Sequence, residues 1–169
     1  MNFKLPALAL AASLAASLLA GPVAAQETTP PAYGAPISLD LAKKIVSAAE
    51  AEAVKNNWAV SIAIVDSGGH LVMLQKLDNT QLVSIRVSEA KAKTAVGFRL
   101  PTKMLEDAVS AGGPGSRLLA LNDIAPFEGG FPIIVDGKII GAIGVAGVFS
   151  GQDSQVAQAG LAAVNNPSR

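Results

Sequence analysis

Residues 129–147 read GGFPIIVDGKIIGAIGVAG. Asp136-Gly137 is a two-residue turn signal, because a tight hairpin turn needs positive φ, which Gly takes freely and Asp tolerates. Apolar, β-branched runs stand on both sides. The stretch is therefore expected to form a hairpin, with Phe131 to Val135 returning as Lys138 to Val145. Alternation puts Ile139, Gly141, Ile143 and Val145 on one face of the second strand, and Ile140, Ala142, Gly144 and Ala146 on the other. Ala142, Gly144 and Ala146 make a flat strip of small residues. Such a strip suits close packing of a helix or a second subunit, or admits a planar ligand against the backbone. The G-A-I-G-V-A-G spacing is not a dinucleotide fingerprint, and a hairpin strand is not the strand-to-helix turn that fingerprint requires.

A second hairpin is expected upstream. Val60, Ile62 and Ile64 alternate with smaller residues, Asp66-Ser67-Gly68-Gly69 forms a turn, and His70 to Lys76 returns until Asp78-Asn79 ends the strand. Helices surround the two hairpins. Ser38 is an N-cap with Asp40 in the first turn, and Leu41, Ile45 and Ala49 mark a helical face to about Asn56. Ser84 to Phe98 reads as a second helix. Pro101 breaks it, and Thr102 caps a short helix through Val109. AGGPGS at 111–116 reads as a loop, Leu118 to Leu121 as a helical turn, and Ser150 as the cap of a last helix to about Val164. Hairpins instead of single crossovers indicate an α+β fold: a central antiparallel β-sheet of about five strands flanked by α-helices.

The ends bear on compartment. Lys4 precedes a charge-free run of mostly Ala, Leu and Ser from Leu5 to Ala20. Gly21-Pro22 closes that run, and Val23-Ala24-Ala25 offers small residues for a signal peptidase. Residues 1–25 are expected to be a secretory signal peptide, which makes the protein periplasmic or secreted. The run is shorter than the roughly 20 residues of a membrane span, so no span is expected in the mature chain. Residues 26–37, rich in Thr and Pro, read as a flexible linker, and 38–169 as one domain. Loss of Lys4 takes Lys+Arg from 13 to 12 against 13 Asp+Glu. A near-neutral domain without a basic run has no electrostatic grip on nucleic acid. The chain has no Cys and one His, which excludes thiol nucleophiles, disulfides and multi-histidine metal sites within one chain.

Taken in order, VSIAIVDSGGHL (60–71), KLDN (76–79), EAKAKTAVGFRLPT (89–102), GGFPIIVDGKIIGAIGVAG (129–147) and QDSQVAQAGLAAV (152–164) resemble the GlcG/HbpS family of haem-binding and haem-degrading-type domains, which also includes the C-terminal domain of PduO. The resemblance covers nearly all of Ser38 to Val164. It implies an antiparallel sheet flanked by helices, a homo-oligomer, and haem as the cofactor of some members. The family usually reads GVSGG after the last strand. Here Ala146 replaces the Ser and Val148 the second Gly, Lys76 stands where Arg is common, and Ser154 where Glu is common.

The candidate site residues follow from both readings. His70 is the candidate axial ligand to haem iron, since imidazole is the common protein donor; the alternative is a histidine that only stabilises its turn. Arg99 and Lys103 flank Pro101 and are candidates for a propionate or another carboxylate, or are plain exposed charges near a helix end. Gly144 and Ala146 belong to the flat strip. Met73, Met104 and Tyr33 are further donors, with Met73 on the opposite strand face from His70. The leading expectation is an exported haem- or tetrapyrrole-binding protein with a haem-degrading or redox-sensing role. The alternative is an enzyme or accessory protein for a small organic acid, with Arg99 or Lys103 on the carboxylate and His70 moving a proton. A third is a scaffold whose strip serves assembly alone.

Overall fold

The computed structural model describes residues 29–165. The expected signal peptide lies outside them. In chain order the elements are β1 (Ala32–Tyr33), α1 (Leu39–Lys55), β2 (Ser61–Asp66), β3 (Leu71–Lys76), α2 (Ser84–Phe98), α3 (Thr102–Ser110), a 3-10 segment (Gly113–Ala120), β4 (Gly130–Val135), β5 (Lys138–Ala146) and α4 (Ser150–Ala162), followed by a 3-10 turn at Ala163–Asn165.

Both expected hairpins form, and they share one sheet. β2 and β3 are antiparallel, β4 and β5 are antiparallel, and β5 joins the hairpins by pairing antiparallel with β2, from Ser61 opposite Ala146 to Asp66 opposite Gly141. The fifth strand comes from the segment read as a linker. Ala32 and Tyr33 pair in parallel with Lys138 and Ile139. The sheet is therefore mixed at that one short edge. Two residues carry no alternation to read, so β1 had no signal in the sequence.

Helices cover both faces. α1 and α4 pack on one, around Ile45, Val46, Ile62, Ile64, Ile143, Val145 and Val156. α2 packs on the other, where Ala92, Ala95 and Val96 meet Val65, Ile139 and Ala142. A register shift between Ile133 and Ile134 leaves Ile140 without a partner on β4. The resulting bulge corrects the expected alternation: Ile139 joins the α2 side with Ala142, while Ile140 packs towards α1 and α4.

The flat strip is where α2 lies. A Cβ built on Gly144 would stand 2.1 Å from the Ser88 carbonyl oxygen and 2.5 Å from the Ala92 nitrogen. Gly144 is thus the price of bringing helix and sheet backbones this close, and helix packing is the use of the strip in the single chain. Other boundaries move slightly. Ser38 caps α1, its hydroxyl accepting from the Leu41 N–H at 3.3 Å. Phe149, not Ser150, precedes α4, and Pro101 precedes α3. The Thr102 hydroxyl instead accepts the Gly130 N–H at 2.9 Å, tying α3 to the start of β4. AGGPGS, expected as a loop, runs into the 3-10 segment, which has Pro in its first turn. Among the described residues no helix is long and apolar enough to cross a membrane.

Candidate functional site

The β2–β3 turn is built on Asp66. One carboxylate oxygen accepts the Gly68 N–H at 2.8 Å and the His70 N–H at 2.9 Å. The same oxygen lies 3.3 Å from His70 Nδ1. Burial pushes the Asp66 carboxyl up, but the two backbone N–H groups and the imidazole outweigh it and hold the group below its ordinary value. Asp66 therefore fixes the turn and stands beside one edge of the imidazole. Nε2 is the ring nitrogen turned away from this contact. The His70 side chain is 82% exposed.

The last turn of α2 stands beside this turn. A Cβ on Gly69 would meet the Val96 side chain at 3.8 Å. The Tyr33 hydroxyl donates to the Val96 carbonyl at 2.8 Å. Arg99 closes α2 in the left-handed region, with φ at 58°. Its guanidinium lies 5.7 Å from the centroid of the Tyr33 ring, within cation–π range. The His70 turn, Tyr33 and Arg99 therefore gather around one helix end, and Leu71 and Tyr33 leave apolar surface exposed there.

The other candidates lie elsewhere. Lys103 pairs with Asp107 one turn along α3, and that hydrogen bond lifts the ammonium above its ordinary value. No hydrogen bond or ion pair among the described residues joins Lys103 to Arg99 or His70. Gly144 is under α2, and Ala146 pairs with Ser61, at the end of β2 away from the His70 turn. Met73 packs towards the α1 and α4 core. The residues around His70 suit haem in kind: an exposed imidazole with a carboxylate behind it, an aromatic ring and apolar surface beside it, and a guanidinium for a propionate.

One pair was not singled out in the sequence. Lys91 on α2 donates to Asp153 Oδ2 at 2.8 Å and to the Val145 carbonyl at 2.9 Å. Both side chains are almost fully buried, 3% and 4% exposed. The other Asp153 oxygen accepts the Val148 N–H at 3.2 Å. Burial lifts the Asp153 carboxyl above its ordinary value, against the pull of Lys91 and these N–H groups. Gly129, at φ +121°, has no room for a Cβ, which would stand 2.9 Å from Lys91 Nζ and from Asp153 Cβ. A readable signal did exist. Lys91 shares a helical face with Ser84, Ser88 and Ala95, so it is a charge on the buried stripe.

Comparison with known proteins agrees with this architecture. The family model described as "Haem degrading protein HbpS-like" matches residues 37–162. Protein GlcG of Escherichia coli (strain K12) is 42% identical over 110 residues, which is 65% of this chain and 81% of that protein. The crystal structure of a PduOC:Heme complex superposes with a TM-score of 0.71 at 29% identity, covering 77% of this chain and 96% of the other. The crystal structure of HbpS does so with a TM-score of 0.72 at 31% identity, covering 79% and 93%.

Proposed function

The chain belongs to the haem degrading protein HbpS-like family, and from that premise we propose that it is a haem-binding protein with His70 as the iron ligand. The observation that carries the assignment is the His70 imidazole, exposed, with Nδ1 3.3 Å from an Asp66 carboxylate oxygen. The structural likeness to a haem complex supports the choice of ligand. In this reading Arg99 meets a propionate, and Tyr33 and Leu71 offer apolar surface to the ring. When bound, the haem supplies an iron centre for redox and oxygen chemistry, and slow haem degradation is assigned to that exposed centre, with no residue of this chain given a catalytic role.

An imidazole on an open surface provides one wall of a site. We therefore include a homo-oligomer in the proposal, a second copy covering the exposed end that carries Tyr33, His70 and Leu71. Export to the periplasm or beyond rests on the sequence of residues 1–25. The test of ligand class is a screen of the mature protein with haemin and with small organic acids, read by absorbance and melting temperature. Haemin should give a saturable Soret band and raise the melting temperature. Ligand at a hundred times its Kd adds about 2.7 kcal/mol of stability. Stabilisation by an organic acid, with no specific Soret band, would replace this reading with the carboxylate alternative.

A further inference from the structure

At the end of β2 and β5 away from His70, a cavity of about 190 Å³ lies between the start of α2 and the segment leading into α4. Ser84, Val87 and Lys91 are three and four residues apart, so one stripe of α2 forms a wall. Gly147, Val148 and Ser150 form the facing wall, and Phe127 is at the rim. The mouth opens towards a groove of about 620 Å³ along α2, with Val83, Val87 and Phe127 common to both.

Several polar groups here have donor capacity to spare. Ser84 is only 2% exposed, and its hydroxyl has no hydrogen-bond partner among the described residues. Among the described residues no side-chain nitrogen or oxygen is both sealed off and unpartnered, so this hydroxyl is open to the cavity it lines. Lys91 has three N–H groups and gives two of them, to Val145 and Asp153. Ser150 is the first residue of α4 and follows Phe149, which has no side-chain oxygen to cap the helix. The carboxylate in the lining is engaged: Asp153 takes Lys91 on one oxygen and the Val148 N–H on the other. Lys91 and Asp153 cancel in charge, and the helix end adds roughly half a positive charge.

We infer that this cavity is a binding site for a small carboxylate of two to four carbons, its oxygens meeting the Ser84 hydroxyl, the Lys91 ammonium and the Ser150 N–H, and its carbons meeting Val87, Val148 and Phe127. Such a ligand matches the volume, which is that of about six waters. A cation would find only neutral oxygens, those of Ser84, Ser150 and Gln81, beside the Lys91 ammonium. A neutral amide would lose the charge-assisted bonds and put its own N–H groups against donors. The site shares no residue with the His70 end, so it stands or falls apart from haem binding.

The experiment uses haem-free, assembled protein with labelled valine methyls, titrated with acetate and separately with acetamide, a neutral molecule of the same size. Acetate should shift the Val87 and Val148 methyl signals saturably while leaving Val135, at the opposite end of the β4–β5 hairpin, in place. Acetamide should bind about tenfold more weakly, the loss expected for a charge-assisted hydrogen bond. Ser84→Ala should weaken acetate by a similar factor and leave the remaining methyl spectrum unchanged, because its hydroxyl holds nothing in the fold. No saturable shift, an equal response to acetamide, or undiminished acetate binding by a folded Ser84→Ala would each overturn the inference. Should that variant fail to fold, the acetate–acetamide comparison on the wild type decides alone.

Discussion

Asp66 accepts two turn N–H groups on one carboxylate oxygen, which also lies beside the His70 ring. Because its folded pKa lies below the ordinary value, the unfolded chain binds more protons in the interval between the two. Its contribution is therefore complete above the ordinary carboxylate range and is lost as pH falls through the folded pKa. Denaturant titrations should show wild type more stable than Asp66→Asn at neutral pH, with the gap closing in acid. A gap that persists or widens in acid would contradict the hydrogen-bonded role. Lys91 and Asp153 behave differently. Asp153 is raised by burial, so the folded state binds the extra proton, and stability falls as pH rises from the ordinary carboxylate value through the folded one. A buried pair of this kind costs much of what it gains. Lys91→Met alone leaves Asp153 unpaired and should lose about 3–5 kcal/mol. Lys91→Met with Asp153→Leu should recover most of it, and equilibrium unfolding of the three proteins checks this. His70 and Asp66 were legible in the sequence because they stand four residues apart around one glycine turn. Lys91 and Asp153 are 62 residues apart, and only the stray charge on a buried helical stripe hinted at them.

Among the elements, the contact of α2 with β5 rests on the small-residue strip. Gly144→Ala must push the Ser88 carbonyl away from a contact of 2.1 Å. Since the neighbour is backbone, it should cost about 3 kcal/mol, measured as a shift in the denaturation midpoint. An Ala variant of wild-type stability would mean that helix and sheet separate more easily than their packing implies. The strip itself was readable from alternation along a single strand. The reversed faces of Ile139 and Ile140 were not, because the bulge arises in the pairing of β5 with β4 and has no mark in either strand alone. The antiparallel core was readable because each hairpin carries its own glycine turn. β1 was missed because a two-residue strand has no pattern, and Thr102 was misassigned as a cap because its hydroxyl serves Gly130 across 28 residues.

For the whole molecule, the proposed site has a second copy covering the exposed end that bears His70. Light scattering of the mature protein should give a mass at least twice that of one chain, whereas a stable monomer at micromolar concentration would remove the second copy from the proposed site. Intact-mass measurement of exported protein should find a chain beginning at Gln26, and retention of Leu5 to Ala20 would refute export by cleavage. The most direct test of haem binding through His70 is a haemin titration of wild type and His70→Ala under identical conditions, followed at the Soret band, with circular dichroism to check the fold. His70→Ala removes an exposed side chain at a turn, so it should remain folded, bind haemin more weakly and show a displaced Soret maximum. A folded His70→Ala with the affinity and spectrum of the wild type, or a wild type that never saturates, would contradict the assignment.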